Sequence, residues 1–347
     1  MTATVYTALG GISAVIWTDV AQFFVLVSGQ ILFFAIIIIK IDGGLMEIIR
    51  MAVADNKIWG HFDWDLTRPT FWTIVISSIL IGLGFGVDQV NIQRIMTARN
   101  EKQARKSVLY QMLWNIPHYS IIILMGISMY AFYQTFPEQL ASGVKETPDM
   151  ILPYFVMTQV PAGLCGLIIA GVFAAAMSSF DSGLNCITTV FIVDWYKRII
   201  KPGQTDTQYL FLAKSLTIIL GISITLLSIV IYKSGIQSIV DASNKYIGFF
   251  FGPIVGMFLL GIFTRKAKPL PVLFAAVVSV LLVLILDIIN MNRDAENQII
   301  NIYFYGPIAI IGTVLIGYLG SLFGSELPYD KICGFTLAKK CKTVDTK

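Results

Sequence analysis

Residues 174–182, Ala174-Ala175-Ala176-Met177-Ser178-Ser179-Phe180-Asp181-Ser182, set hydroxyls and a carboxylate in the middle of an apolar run that extends from 163 to 196. Polar and ionisable groups inside a segment long enough to cross a bilayer are expensive, and function is the usual reason for keeping them. At about 100° per residue a helix places Ala175, Ser178, Ser179 and Ser182 on one stripe, with Asp181 about 60° round from Ser178. One face of this helix is expected to carry a column of hard oxygen ligands.

The rest of the chain supplies the setting. Of its 347 residues, 56% are hydrophobic and 13% are charged. This is the composition of an all-α, multi-pass membrane protein. Apolar stretches that match a hydrocarbon core of about 30 Å recur from end to end, without the period-two alternation of a barrel. About eight spans are predicted: 12–39, 71–93, 108–133, 163–196, 209–232, 236–263, 270–289 and 302–323.

Lys and Arg gather after the second span (Arg94, Arg99, Lys102, Arg105, Lys106), after the fourth (Lys197, Arg198, Lys201) and after the sixth (Arg265, Lys266, Lys268). By the positive-inside rule those loops are cytoplasmic, and the Lys-rich tail falls on the same side. Both ends of the chain are then cytoplasmic. The net charge of +4 is accounted for by these loops and argues against a nucleic-acid partner. Cys165, Cys186, Cys333 and Cys341 lack metal-ligand spacing, so reduced thiols and no zinc are expected. No cleavable signal peptide is read before the first span.

Two outside loops are long. Residues 40–69 predict an interfacial helix over Gly44–Ala54, followed by Trp59, Phe62 and Trp64 at headgroup level. Residues 133–162 carry Pro137, Pro148, Pro153 and Pro161 around a short apolar piece at 150–156. The second loop reads as a cap over a pathway from outside, and both read equally as inert covers.

The polar residues trapped in spans carry the mechanism, and each has a plainer reading. Asp19, beside Thr18 and Gln22, reads evenly as an interfacial carboxylate and as a functional one. Asp88 follows Gly82-Leu83-Gly84-Phe85-Gly86, the pattern of a discontinuous transporter helix. Tight glycine packing and an ion pair with the Arg94–Arg99 loop explain the same letters. Lys245 lies in the outer half of the sixth span, one turn after Asp241. It reads as an intrahelical pair, as a snorkelling lysine, or as an anion-binding group in a substrate path. Pro117 and His118 interrupt the third span, and a lone histidine at a kink is expected to be satisfied locally. Ser178, Ser179 and Ser182 taken alone suit helix packing. Joined by Asp19 and Asp181 they supply the oxygen-only, charge-balanced shell that a small hard cation needs when it sheds water, and sodium becomes the better explanation.

Four stretches resemble the solute:sodium symporter family, the relatives of sodium-coupled glucose, sialic acid, proline, iodide and multivitamin carriers. They are the opening from Tyr6 to Gln22, the Asp88-Gln89-Val90-Asn91-Ile92-Gln93-Arg94 end of the second span, the Ala-Met-Ser-Ser helix, and Phe251-Gly252-Pro253 through Phe263. The resemblance implies a fold of two inverted five-helix repeats with solute near the midplane. It implies half of a main sodium site, with oxygens at Ala175 (backbone carbonyl), Ser178 and Ser179 that face a core helix this chain does not contain. A second sodium site is implied at Asp19, Ser178, Asp181 and Ser182, with Asp181 standing where relatives carry Ser or Thr and open to sodium or to a proton. Substrate-lining positions are implied at Phe85, Asp88, Trp114, Lys245 and Gly248.

The first span matches the family's fifth core helix, so the chain reads as the C-terminal portion of a transporter: that helix, the second five-helix repeat and two further helices, with 325–347 as a cytoplasmic tail. A truncated gene model is the expected cause. The implied function is sodium-coupled symport of a small organic solute across the plasma membrane. Lys245, where sugar carriers use a glutamine, points to an anionic solute such as a carboxylate or an acidic sugar. A neutral-solute symporter and a cation channel are the alternatives, although no repeated filter or charged ring is visible. A membrane-embedded enzyme lacks a nucleophile and base within reach, since the histidines are His61 in a loop and His118 at a kink.

Overall fold

The structure is a computed structural model. It describes residues 2–57, 62–145, 147–233, 239–291, 293, 298–323 and 336. Trp59, His61, Cys333, Cys341, the 325–347 tail as a segment, the 236–238 start of the sixth span and the Asp241 side chain lie outside what it describes.

The described helices are α1 (Thr2–Lys40), α2 (Gly44–Ala54), α3 (Phe71–Gly82), α4 (Gln89–Met96), α5 (Glu101–Thr135), α6 (Ser142–Lys145), α7 (Ile151–Gln159), α8 (Ala162–Val190), α9 (Asp206–Lys233), α10 (Ile239–Tyr246), α11 (Gly252–Phe263), α12 (Pro269–Met291) and α13 (Tyr305–Leu322). Among the described residues, seven helices are long and apolar enough to cross a membrane, and the broken pair Phe71–Gly86 and Gln89–Met96 makes eight if it is one span. That agrees with the spans read from hydrophobicity. Starts are set by side-chain caps: Thr70 accepts from the Thr73 amide ahead of α3, and Asn100 from the Gln103 amide ahead of α5.

Three irregularities follow from local chemistry. The second span breaks after the 3₁₀ turn Leu83–Gly86, where the Val87 and Asp88 amides both turn back onto the Gly84 carbonyl. Gly84 is also a close-packing glycine, since a Cβ there would run into the Phe251 ring. The two readings of this glycine run therefore both hold. The sixth span widens into a π-helical turn, Ile247–Phe251, just before Pro253, which has no amide to donate to the preceding turn. Pro117, expected to interrupt the third span, sits inside the continuous α5.

The chain divides into two compact units, Met1–Ile58 with Gln89–Gln237, and Trp59–Asp88 with Ser238–Lys347. In the first, α1 reverses at Gly11, whose φ of 57° and ψ of −150° suit only glycine. An unbroken helix would hold residues 6 and 22 about 24 Å apart at about 1.5 Å per residue. Instead Gln22 Nε2 lies 3.5 Å from Tyr6 Oη. The first ten residues thus lie back beside the first predicted span. From Ile12 onward α1 packs along α8 through small residues, with Gly171 against the backbone of Val25 and Leu26. Phe33, Ile37, Ile48, Phe132 and Phe155 form a fully buried cluster that joins α1, α2, α5 and α7. The predicted interfacial helix α2 therefore buries Ile48 and Ala52 against protein. The apolar piece expected at 150–156 is the helix α7.

In the second unit α11 and α13 meet at a glycine seam. A Cβ at Gly252 would lie 2.8 Å from Ala309 Cβ and 2.9 Å from the Gly306 carbonyl oxygen, and one at Gly256 2.7 Å from Thr313 Cβ. The 62–70 loop and α3 are tied to the segment ahead of α13, with the Asn301 amide donating to the Leu66 carbonyl at 2.6 Å and Ser77 Oγ of α3 to the Tyr303 carbonyl at 2.6 Å.

Candidate functional site

The stripe that begins at Ala175 lines a cavity. Asp19, Gln22, Arg94, Ala175, Ser178 and Ser179 share its wall, with Phe23 and Phe24 among the apolar remainder, and its volume is about 690 Å³. Three elements of the first unit build it: α1 supplies Asp19 and Gln22 one turn apart, α8 the serines, and α4 Arg94. Ser179 Oγ donates back to the Ala175 carbonyl at 3.3 Å. The position expected to offer a backbone oxygen is thus engaged by its own helix.

Arg94 is the first departure from the sequence reading, which counts it as a cytoplasmic-loop charge. Its guanidinium donates to Asp19 Oδ2 at 2.5 Å and to Ser182 Oγ at 2.6 Å. Asp19 is thereby neither a lone interfacial carboxylate nor an open cation ligand on both oxygens. Its other oxygen, Oδ1, is buried without a hydrogen-bond partner among the described residues, and so is Gln22 Oε1.

Asp181 is the second departure. Expected beside the serine column as a ligand, it is fully buried and is not on the cavity wall. Tyr6, from the folded-back first ten residues, donates its hydroxyl to Asp181 Oδ2, and Ser182 Oγ donates to Oδ1 at 3.3 Å. A continuous network therefore runs Gln22–Tyr6–Asp181–Ser182–Arg94–Asp19. Tyr6 has no signal in hydropathy, because only the reversal at Gly11 brings it within reach.

The residues expected to line the substrate path fall in several places. Lys245 Nζ lies 2.6 Å from Asp287 Oδ2 on α12, a partner that the sequence reading does not single out. A rule that reads any ionisable residue within a span as functional would have found Asp287. Gly248 is filled by Tyr305, since a Cβ there would lie 2.5 Å from the tyrosine Cβ. Trp114 packs edge-on against Phe23, centroid to centroid 5.2 Å. Phe85 and Asp88 lie at the break of the second span. His118, expected to be satisfied locally, has a buried Nδ1 with no partner among the described residues.

Seven or eight apolar helices long enough to span a bilayer, with a carboxylate, an arginine and serines on the wall of a largely apolar cavity, define the broad class: a multi-pass membrane protein. The particular family follows from comparison with known proteins. The sequence model of the sodium:solute symporter family matches residues 1–291, and the chain belongs to that family. It is 33% identical over 342 residues to the sodium/sialic acid symporter NanT of Aliivibrio fischeri, covering 97% of this chain and 65% of that protein. It is 33% identical over 268 residues to sodium-coupled monocarboxylate transporter 2 of Mus musculus, covering 75% of this chain and 42% of that protein. A solved structure of a substrate-bound, outward-open Na+-coupled sialic acid symporter, described as revealing a novel Na+ site, superposes with a TM-score of 0.80 at 30% identity. That match covers 93% of this chain and 65% of the other. The chain thus spans less than two thirds of the length of these proteins. The matched family and relatives are transporters, which sets aside the membrane-embedded enzyme.

Proposed function

We propose that the protein takes part in sodium-coupled symport of a small organic anion by alternating access in the plasma membrane, as a single transporter domain over 1–347 with both ends of the chain and the 325–347 tail cytoplasmic. Sodium and solute are its ligands and the lipid bilayer its surroundings. The observation that carries the reading is the shared cavity wall of Asp19, Ala175, Ser178 and Ser179, hard oxygens in a chamber within the first unit. The main sodium ligands are the Ala175 carbonyl, Ser178 and Ser179. A second site uses Asp19 and Ser178, with Asp181 and Ser182 behind them. An anionic solute is supported by the relatives, whose names specify sialic acid and monocarboxylates. Solute contacts are proposed at Phe85 and Asp88 beside the helix break and at Trp114.

A neutral solute is the second reading, favoured by two observations: Asp287 already compensates the charge of Lys245, and Tyr305 already fills the space over Gly248. Uptake into proteoliposomes under an inward sodium gradient tests both. The expected result is saturable, sodium-dependent uptake of a labelled carboxylate or sialic acid and none of glucose, lowered more than about tenfold by Asp19→Asn or Ser178→Ala. Uptake indifferent to the gradient would refute sodium coupling, and uptake of glucose alone would favour the neutral solute.

A further inference from the structure

Two buried oxygens on α1 stand without donors. Asp19 Oδ1 and Gln22 Oε1 belong to residues at i and i+3, so they share a helix face, and both residues line the cavity of about 690 Å³. A buried acceptor left unmatched costs about 1–3 kcal/mol, and two of them on one helix face beside a cavity share whatever occupant matches them. Two acceptors with no donor between them ask for a cation or a bridging water. Four neighbouring donor atoms are directed elsewhere: Arg94 Nη2 goes to Asp19 Oδ2 and Ser182 Oγ, Tyr6 Oη to Asp181 Oδ2, Ser182 Oγ to Asp181 Oδ1, and Gln22 Nε2 to Tyr6 Oη.

Charge decides between the classes of cation. Arg94 matches one of the two carboxylates, Asp19 and Asp181, that the network links. With both carboxylates ionised, a monovalent ion completes the balance, whereas a divalent ion leaves an excess positive charge in a low-dielectric span.

We propose that Gln22 is a cation ligand, that it closes the second sodium site with Asp19 Oδ1, and that Arg94, fixed on Asp19 Oδ2, restricts this site to one monovalent cation. The inference rests on the sodium reading above and adds to it a ligand and the cause of selectivity. Gln22 acts by direct contact with the ion. Arg94 acts through Asp19, as a positioning residue that takes one carboxylate oxygen and leaves the other to the ion.

The test is equilibrium binding of radioactive sodium to the purified chain in lipid nanodiscs, with unlabelled sodium, lithium and calcium as competitors. Each variant is checked for a monodisperse profile and an unchanged melting temperature. Wild type is expected to bind sodium and to ignore calcium. Gln22→Met, close in volume but without an acceptor, is expected to weaken sodium binding about tenfold. Gln22→Glu keeps the oxygen and is expected to tighten it. Arg94→Gln is expected to admit calcium as a competitor, a change of selectivity that loss of packing would not produce. Sodium affinity within about twofold of wild type in Gln22→Met would mean a bridging water and would overturn the assignment. Arg94→Gln that still ignores calcium would overturn the selectivity role. Absence of sodium binding to wild type would refute the sodium reading itself, an outcome distinct from both.

Discussion

Lys245 Nζ lies 2.6 Å from Asp287 Oδ2, joining α10 to α12, while Tyr305 Oη reaches Asp287 Oδ1 at 3.5 Å and accepts from Asn290 Nδ2 at 3.1 Å. The side chains are 28% and 12% exposed, so the pair is more buried than a surface ion pair but not fully desolvated. Removing one partner strands the other. Asp287→Asn is expected to destabilise the protein by about 1–3 kcal/mol, and the double variant Lys245→Met, Asp287→Leu to regain most of that loss. Thermal melting of the single and double variants in detergent measures the coupling, and additive losses would show that the contact does not matter.

Gly252 tests the α11–α13 seam. An alanine methyl would meet Ala309 Cβ at 2.8 Å and the Gly306 carbonyl oxygen at 2.9 Å, and the second of these is backbone that cannot swing away. Gly252→Ala is expected to cost about 1–3 kcal/mol by overpacking. Gly261, where an added methyl would meet nothing within 4 Å, is the control in the same helix. Equal melting temperatures for Gly252→Ala and Gly261→Ala would contradict the packing argument.

Tyr6 holds a fully buried carboxylate, so its hydroxyl should matter more than its ring. Tyr6→Phe is expected to lower stability by about 1–3 kcal/mol, the cost of leaving an acceptor of Asp181 unmatched. Combining it with Asp181→Leu removes both partners and is expected to cost less than the sum of the two single changes. Chemical denaturation of the four proteins in one detergent gives the cycle.

Asp65 lies in the loop ahead of α3 and offers a pH test outside the membrane spans. Thr67 holds its carboxyl below the usual carboxylate range, through the hydroxyl at 2.6 Å and the amide at 2.8 Å, with Arg68 adding its charge at 2.9 Å. A pKa depressed on folding means that the ordering contribution is present above the unfolded value, about 3.9, and is lost as pH falls through the lower folded value. Limited proteolysis of the 62–70 loop is expected to accelerate only as pH drops below about 4. Thr67→Val is expected to bring faster cleavage already at neutral pH, and a pH-independent rate in wild type would disprove the link.

Hydrophobic length was enough to place the spans, because a segment that must satisfy its own backbone in hydrocarbon has few alternatives to a helix of about 20 residues. The break at Gly82–Gly86, the helix α2 and the serine stripe on α8 were legible for the same reason: glycine, turn and periodicity signals are local. Ala175, Ser178 and Ser179 share a helical stripe by arithmetic alone, and they reach the cavity wall together with Asp19. Charge partners were not legible. Arg94 reads as a loop residue, Asp287 goes unremarked, and Tyr6 carries no signal, because each depends on contact between segments from 42 to 175 residues apart.

What the amino-acid order determined by itself was an all-helical membrane chain with a polar stripe in its fourth span and a broken second one. Those properties follow from hydropathy and periodicity summed over short windows, where the competing terms are large and local. Only the tertiary structure decided that Asp181 is sealed behind the cavity by Tyr6, that Asp19 shares its carboxylate with Arg94, and that Lys245 is held by Asp287. In a span, any ionised group takes whichever countercharge the packing brings within reach, and that choice is made by the approach of distant helices.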